Sequence, residues 1–158
     1  MLDNKHSLAE FDKFQKKTIK HWITNGPDLN SVSEAEQFGK YIALKLKKVK
    51  IPNKKNSVDE SVSTSQIRQV FTKLKSIEAK GGLKNEAEKI EFLMLKPLMA
   101  YVVGRHKKTG LKQLQVRLNW GIDEVMEADD DDERQKRFKN FCKLFEAILA
   151  YHKSHGGN

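Results

Sequence analysis

Few residues of this chain have the types and spacing that chemistry requires. There are five histidines, His6, His21, His106, His152 and His155. His152 and His155 form an i, i+3 pair, but no glutamate completes a His-Glu-x-x-His arrangement and His152 points toward the apolar side of its helix. The pair therefore reads as a core histidine beside an exposed one. The single cysteine, Cys142, falls among phenylalanines on a core-facing arc, where a thiol is packing and not a nucleophile. The run Asp129 to Asp132 offers carboxylates for a divalent cation, yet consecutive charges in a glycine-free loop rarely converge on one point. It reads as a solvated loop that favours the start of the following helix through the helix dipole. No glycine-rich phosphate loop, dinucleotide fingerprint or paired-carboxylate spacing is present. The sequence thus predicts no catalytic residues, no metal site, no cofactor and no enzyme.

The basic residues are better ordered. Arg68 and Lys75, seven apart, nearly eclipse one another on the flank of a helix, and Lys40 and Lys47 repeat that spacing on another. Gly104-Arg105-His106-Lys107-Lys108 closes a helix with cations, where the dipole tolerates them and glycine lets the chain turn. No aromatic residue interleaves with these groups on the exposed faces. Contact with a phosphate backbone or a duplex shape is expected, and stacking on single bases is not.

Composition sets the frame for these groups. The chain has 158 residues with 30 Lys plus Arg against 21 Asp plus Glu, a formal charge of +9. Residues 1 to 55 hold 12 of the basic and 6 of the acidic groups, whereas residues 129 to 158 hold 6 of each. A surplus of this sign on a folded chain points first to nucleic-acid phosphates, whose condensed counterions are released on neutralisation. With 38% apolar residues the chain can bury a core, and sparse, scattered Val and Ile exclude an all-β fold. No charge-free stretch approaches the roughly 20 apolar residues that span a bilayer, and the opening residues lack the pattern of a signal peptide. One cysteine cannot form an internal disulfide, so a cytoplasmic protein without membrane attachment is expected.

The hydrophobic pattern predicts an all-α bundle of about five to six helices with an N-terminal helical extension. A capping box of Ser7 and Glu10 opens a first helix running to Thr24, with Leu8, Phe11, Phe14, Ile19, Trp22 and Ile23 inward. Ser33 and Glu36 open a second that Pro52 stops, with Ala35, Phe38, Ile42, Leu46 and Val49 inward. Residues 52–63 read as a polar linker between a unit at 1–51 and a core bundle at 64–158. A third helix from Ser63 or Thr64 buries Ile67, Val70, Phe71, Leu74 and Ile77 and ends at Gly81-Gly82. The fourth, Asn85 to Gly104, is apolar all round, which suits a bundle centre or an interface, and Pro97 should kink or split it. The fifth, Thr109 to Ala128, turns Leu111, Leu114, Leu118, Ile122 and Val125 inward and Trp120 outward. The sixth spreads Phe138, Phe141, Cys142, Leu144, Phe145, Ile148, Leu149 and Tyr151 over half its circumference and ends at Gly156-Gly157.

Three stretches together resemble a known family: TSQIRQV from Thr64 to Val70, LKPLMAYVVGR from Leu95 to Arg105, and NFCKLFEAILAYHK from Asn140 to Lys153. In order and approximate spacing they are similar to the small α-helical subunit of the type III-A CRISPR-Cas effector, the Csm complex, over roughly residues 33 to 153. The first helix and the aspartate run are less typical of it. The resemblance implies a noncatalytic subunit present in several copies, stacked along the repeated backbone subunits, with the large subunit also a partner. It would line the groove where CRISPR RNA pairs with target RNA, in antiviral defence. It also implies that Arg68 and Arg105 touch RNA; Lys75, Lys96, Lys107 and Lys108 join them on geometry. The alternative is a helical scaffold whose contacts are purely protein to protein.

Overall fold

The computed structural model describes residues 11–45, 49–50 and 57–158. The fold is all-α, with helices α1 (Lys16–Asn25), α2 (Leu29–Lys40), α3 (Thr64–Ala79), α4 (Glu86–Leu93), α5 (Leu95–His106), α6 (Thr109–Met126) and α7 (Asp131–Ser154). A π-helical turn, Tyr41–Lys45, extends α2, and Val49–Lys50 pairs antiparallel with Ser57–Val58. Among the described residues no helix is long and apolar enough to cross a membrane.

The longest helix, α7, is the axis of the bundle: α1, α2, α3 and α6 all pack on it, and α5 bridges α3 and α6. Its phenylalanines explain why. Phe138 and Phe141 each meet Phe92 of α4 edge-on, with centroids 5.3 and 5.2 Å away, and Phe145 meets Phe71 of α3 at 5.3 Å. Burial of side chains this size stabilises by roughly 1.5–3 kcal/mol each. Helix α2 comes closest: a Cβ at Gly39 would stand 2.7 Å from Tyr151 Cβ and 2.8 Å from the His152 amide nitrogen. Near the far end of α7 the buried His152 ring nitrogen Nε2 lies 2.6 Å from the Val62 carbonyl oxygen, tying the α3 approach to α7.

Helices α3, α6 and α7 start and stop within a few residues of their predicted bounds, because their signals are local. Ser63 and Gln66 form a reciprocal capping box at α3, and the Asp130 carboxylate accepts the Glu133 amide at α7. The aspartate run therefore serves as cap and first turn. Gly81, Gly82 and Gly156 take the positive φ values that end α3 and α7.

Three expectations are corrected. The first helix does not run from Leu8: residues 11–15 are non-helical, Phe14 has φ +55°, and α1 begins at Lys16. Its Ser7 and Glu10 box lies outside the described residues, as do Leu46 and Lys47. The second helix starts four residues early, at Leu29, because Asp28 and Ser31 cap each other reciprocally at 2.8 and 2.9 Å. The Ser31 amide, ahead of the other influences, holds the Asp28 carboxyl below the ordinary aspartate range. This helix ends in the π turn and does not reach Pro52; Val49 lies in the ladder. The fourth predicted helix is two. Pro97 lacks the amide that would bond the Leu93 carbonyl, and the chain breaks at Met94 so that Pro97 falls in the first turn of α5, where it is tolerated. Nor is this segment a bundle centre: Ile90, Leu93, Met94 and Tyr101 are exposed.

Arg117 is what the sequence analysis missed. It is 1% exposed, on α6. Its guanidinium donates to the Gln113 carbonyl (3.0 Å) and Oε1 (2.9 Å) and to the carbonyls of Phe11 (3.2 Å) and Lys13 (3.1 Å). It also lies 4.4 Å from the Phe38 ring centroid and 5.9 Å from that of Trp120, which is half-buried beneath the N-terminal segment. The non-helical backbone at residues 11–15 is what frees those carbonyls. Helix α1 then docks through Ile19, Trp22 and Ile23, with the Trp22 indole donating to the Asn140 carbonyl at 3.0 Å and the Asn140 amide to the Ile23 carbonyl at 2.9 Å.

Two stability tests follow from this packing. Arg117→Met should cost about 2–4 kcal/mol by urea unfolding, since it strands buried carbonyls, and Arg117→Lys should not restore the loss because one ammonium cannot replace the planar fork. Gly39→Ala should also destabilise, by about 1–3 kcal/mol, although an open helical site would gain about 1 kcal/mol from the same change.

Candidate functional site

Helix α3 spends Ile67, Val70, Leu74 and Ile77 on the core, which leaves Arg68, Gln69, Thr72, Lys73 and Ser76 facing α4 and α5. Across from them stand Ile90, Glu91, Met94, Pro97 and Leu98. The space between is an open groove of about 910 Å³ with an apolar floor and polar rims. It exists because the break at Met94 turns residues outward that a continuous helix would have rotated inward. Ile90 and Met94 are 53% and 54% exposed, unusual for side chains of this kind outside an interface. Lys80 and Glu91 reach across one end of the groove at 3.7 Å.

The predicted cations divide into two sets. Arg68 is exposed at the groove and also lines a smaller depression of about 440 Å³ with Thr64, Ser65, Leu149, Lys153 and Asn158. Arg105 is exposed two turns beyond Pro97 on α5, and its Nη1 donates to the Tyr101 hydroxyl at 3.3 Å. Lys107, exposed in the left-handed position with φ 54°, closes α5. Lys108 opens α6 and donates from Nζ to the Asp59 carbonyl. None of these four makes an ion pair among the described residues. Arg105, Lys107 and Lys108 thus gather at the α5–α6 junction, with Arg68 on the neighbouring helix.

Lys75 and Lys96 are engaged elsewhere. Lys75 Nζ sits 2.5 Å from both Glu146 Oε2 and Glu78 Oε1, and these carboxylates, Glu146 foremost, hold its ammonium well above the usual lysine range. Lys96 pairs with Asp123 of α6. Both pairs are partly exposed, where an ion pair contributes little and exchanges readily. Lys40 is exposed on α2. Two residues at the site were not singled out from sequence. Lys73 lines the groove, and Tyr101 is 59% exposed beside Arg105, so an aromatic ring does stand among the candidate cations. The i, i+4 spacing of Tyr101 and Arg105 was the available signal; the expectation of a helix apolar all round hid it.

The remaining reactive side chains are held in structural roles. His152 is buried against Val62, and His155 Nε2 lies 3.1 Å from Glu36 Oε2. Asp131 pairs with Lys89 at 3.0 Å and with Arg134 at 2.6 Å, and Lys89 is the larger influence lowering its carboxyl pKa. Burial, ahead of the nearby glutamates, pushes the Cys142 thiol far up. Among the described residues no three His, Cys, Asp or Glu side chains are grouped to hold a metal ion.

The family model Csm2 Type III-A matches residues 27–158. The match begins just before α2 and takes in α3, α5 and α7, which carry the three stretches on which the resemblance rested, but it leaves out α1. No curated protein and no solved structure matches the chain.

The buried thiol provides a check on the core of this site. Cys142 should not react with Ellman's reagent at pH 8 in the native protein and should react stoichiometrically in denaturant. Rapid native labelling would show that α7 is not packed as described.

Proposed function

The chain belongs to the Csm2 type III-A family and is a small subunit of the type III-A Csm complex, and from that premise we propose that it lines the groove holding CRISPR RNA and target RNA as a noncatalytic RNA-binding subunit. The observation that carries this reading is the pair Arg68 and Arg105. Both are exposed without a carboxylate partner among the described residues, both lie within the residues that the family model matches, and they sit on helices that pack on each other, Arg68 lining the groove and Arg105 two turns beyond Pro97. Lys107 and Lys108 extend the cationic track past Arg105. Lys75 and Lys96 contribute by exchanging a carboxylate for a phosphate, which makes them weaker and more salt-sensitive contacts.

The chemistry is positioning. Guanidinium groups bond phosphate oxygens without reading bases, so sequence specificity comes from guide–target pairing. Tyr101 adds an exposed ring beside Arg105 that can stack on a sugar or a splayed base. Target cleavage belongs to another subunit, and the protein acts in the cytoplasm in antiviral defence. The apolar floor formed by Ile90, Met94 and Leu98 favours additional protein contacts, with the repeated backbone subunits, the large subunit or further copies of this chain. A scaffold without RNA contact is the competing reading, and that same floor is what supports it.

The two readings separate in a salt titration. Purified protein is titrated with a guide–target RNA duplex across salt concentrations. Arg68→Ala and Arg105→Ala should each weaken binding and each reduce the slope of log affinity against log salt by about 1. Unchanged affinity and slope in both variants, with assembly into the complex intact, would establish the scaffold instead.

A further inference from the structure

We propose that the outer face of α1, with the segment just before it, is a second RNA-phosphate contact surface, separate from the α3–α5 groove, formed by Lys13, Lys16, Lys17 and Lys20. The proposal stands apart from the groove-lining reading, since α1 packs on α6 and α7 and not on α3. It also lies outside the residues that the family match covers.

All four lysines are exposed. Among the described residues Lys13, Lys16 and Lys17 make no ion pair, and Lys20 only approaches Glu124 at 3.7 Å while 48% exposed. No acidic residue occurs within α1. Several cations elsewhere are matched with carboxylates: Lys75 with Glu78 and Glu146, Lys96 with Asp123, Lys89 and Arg134 with Asp131. On α1 Lys16 and Lys20 are like charges at i, i+4, Lys13 stands in the non-helical segment just before it, and Lys16 and Lys17 occupy the first turn, where the helix dipole disfavours cations. Apart from the Lys20–Glu124 contact, this arrangement of like charges opposes folding.

The face is nevertheless held rigidly. Arg117 grips the carbonyls of Phe11 and Lys13, and the Trp22 and Asn140 bonds fix the other end of α1. The four ammonium groups are therefore carried on a fixed frame, suited to a polyanion. The chemistry of the face favours RNA over a protein or a lipid surface. It presents no aromatic or aliphatic anchor, and lysine is depleted from protein interfaces, while a membrane-binding helix needs an apolar side that here is spent on the core.

The test uses the full chain with single-stranded RNA, comparing wild type, a variant with Lys13, Lys16, Lys17 and Lys20 all changed to Gln, and the Arg68→Ala, Arg105→Ala double variant. The glutamine changes are at exposed positions, three of them on α1, and should leave thermal unfolding unmoved. At about 0.7 per lost phosphate contact, the four changes should flatten the salt slope by roughly 3, with an affinity loss of at least about tenfold at low salt. The same loss should appear when the four changes are made on top of the double variant. Wild-type affinity and slope in the glutamine variant overturn the α1 proposal and leave the groove reading standing. A loss confined to the glutamine variant supports α1 and removes the groove arginines from RNA contact. No RNA binding by wild-type protein at low salt overturns both. A glutamine variant that keeps RNA but fails to co-purify with another Csm subunit identifies the face as a protein contact and overturns the proposal.

Discussion

A guanidinium withdrawn from water must find donors' partners for itself inside the protein, and the placement of Arg117 governs much of the architecture around it. Desolvating such a group costs several kcal/mol unless its hydrogen bonds are replaced. Helix α6 supplies two acceptors from Gln113, but the others come from the carbonyls of Phe11 and Lys13. Carbonyls inside a helix are already bonded, so the segment before α1 has to leave helical geometry, and Phe14 adopts a left-handed conformation that a phenylalanine rarely takes. The Phe14 amide released by that turn is satisfied by Glu34 Oε1 at 2.9 Å, which brings α2 into the same arrangement. The flat guanidinium face also serves as packing surface for Phe38 and Trp120.

The other constraint is how closely helices approach α7. Gly39 lets α2 lie nearly backbone to backbone with it, and Gly121 makes room on α6 for the Phe141 ring, which would stand 2.8 Å from a Cβ there. Three flanks of α7 are thereby filled by α2, α1 and α6. The fourth, toward α3, is completed by a chain that breaks at Met94, and there the core closes under Phe92, Leu95 and Met99 while Ile90, Leu93 and Met94 remain outside. The exposed groove is thus a consequence of Pro97 in a segment too apolar to be solvated without a partner.

What could be read from the sequence tracks how local each determinant is. Caps and terminal glycines are decided within four or five residues, and α3 and α7 followed them, whereas the Thr109 amide that opens α6 is met by the distant Glu60. The all-α class and the exposure of Arg68 and Arg105 needed only helical periodicity. The pairing of Lys75 with Glu146 joins residues 71 apart, and that of Lys96 with Asp123 residues 27 apart, so no periodicity on one helix could show that these cations are partly neutralised. Arg117 sits at the edge of an inward arc, where a long charged side chain normally reaches back to solvent. Its burial depends on acceptors more than a hundred residues away in sequence, and only the assembled core reveals it.

Charge counting has the same limitation and a corresponding use. The net +9 is an average over cations of two kinds. Some, such as Lys75, Lys89, Lys96, Arg134 and Arg137, are offset by carboxylates that the fold brings to them, and they contribute to solubility more than to a field. Among the described residues, the cations without such a partner include those at the α5–α6 junction, Arg68, and Lys13, Lys16 and Lys17 on and before α1. A phosphate backbone responds to unpaired, rigidly carried charge, because each contact must release counterions without first breaking an ion pair. The fold therefore sorts part of the charge that the composition supplies: it pairs some cations with carboxylates and carries others, Arg68 and the α5–α6 junction on one flank and α1 on another, on a fixed helical frame. The proposed role fits that distribution, since contact with an RNA backbone needs charge and shape alone and leaves the reading of sequence to the guide strand.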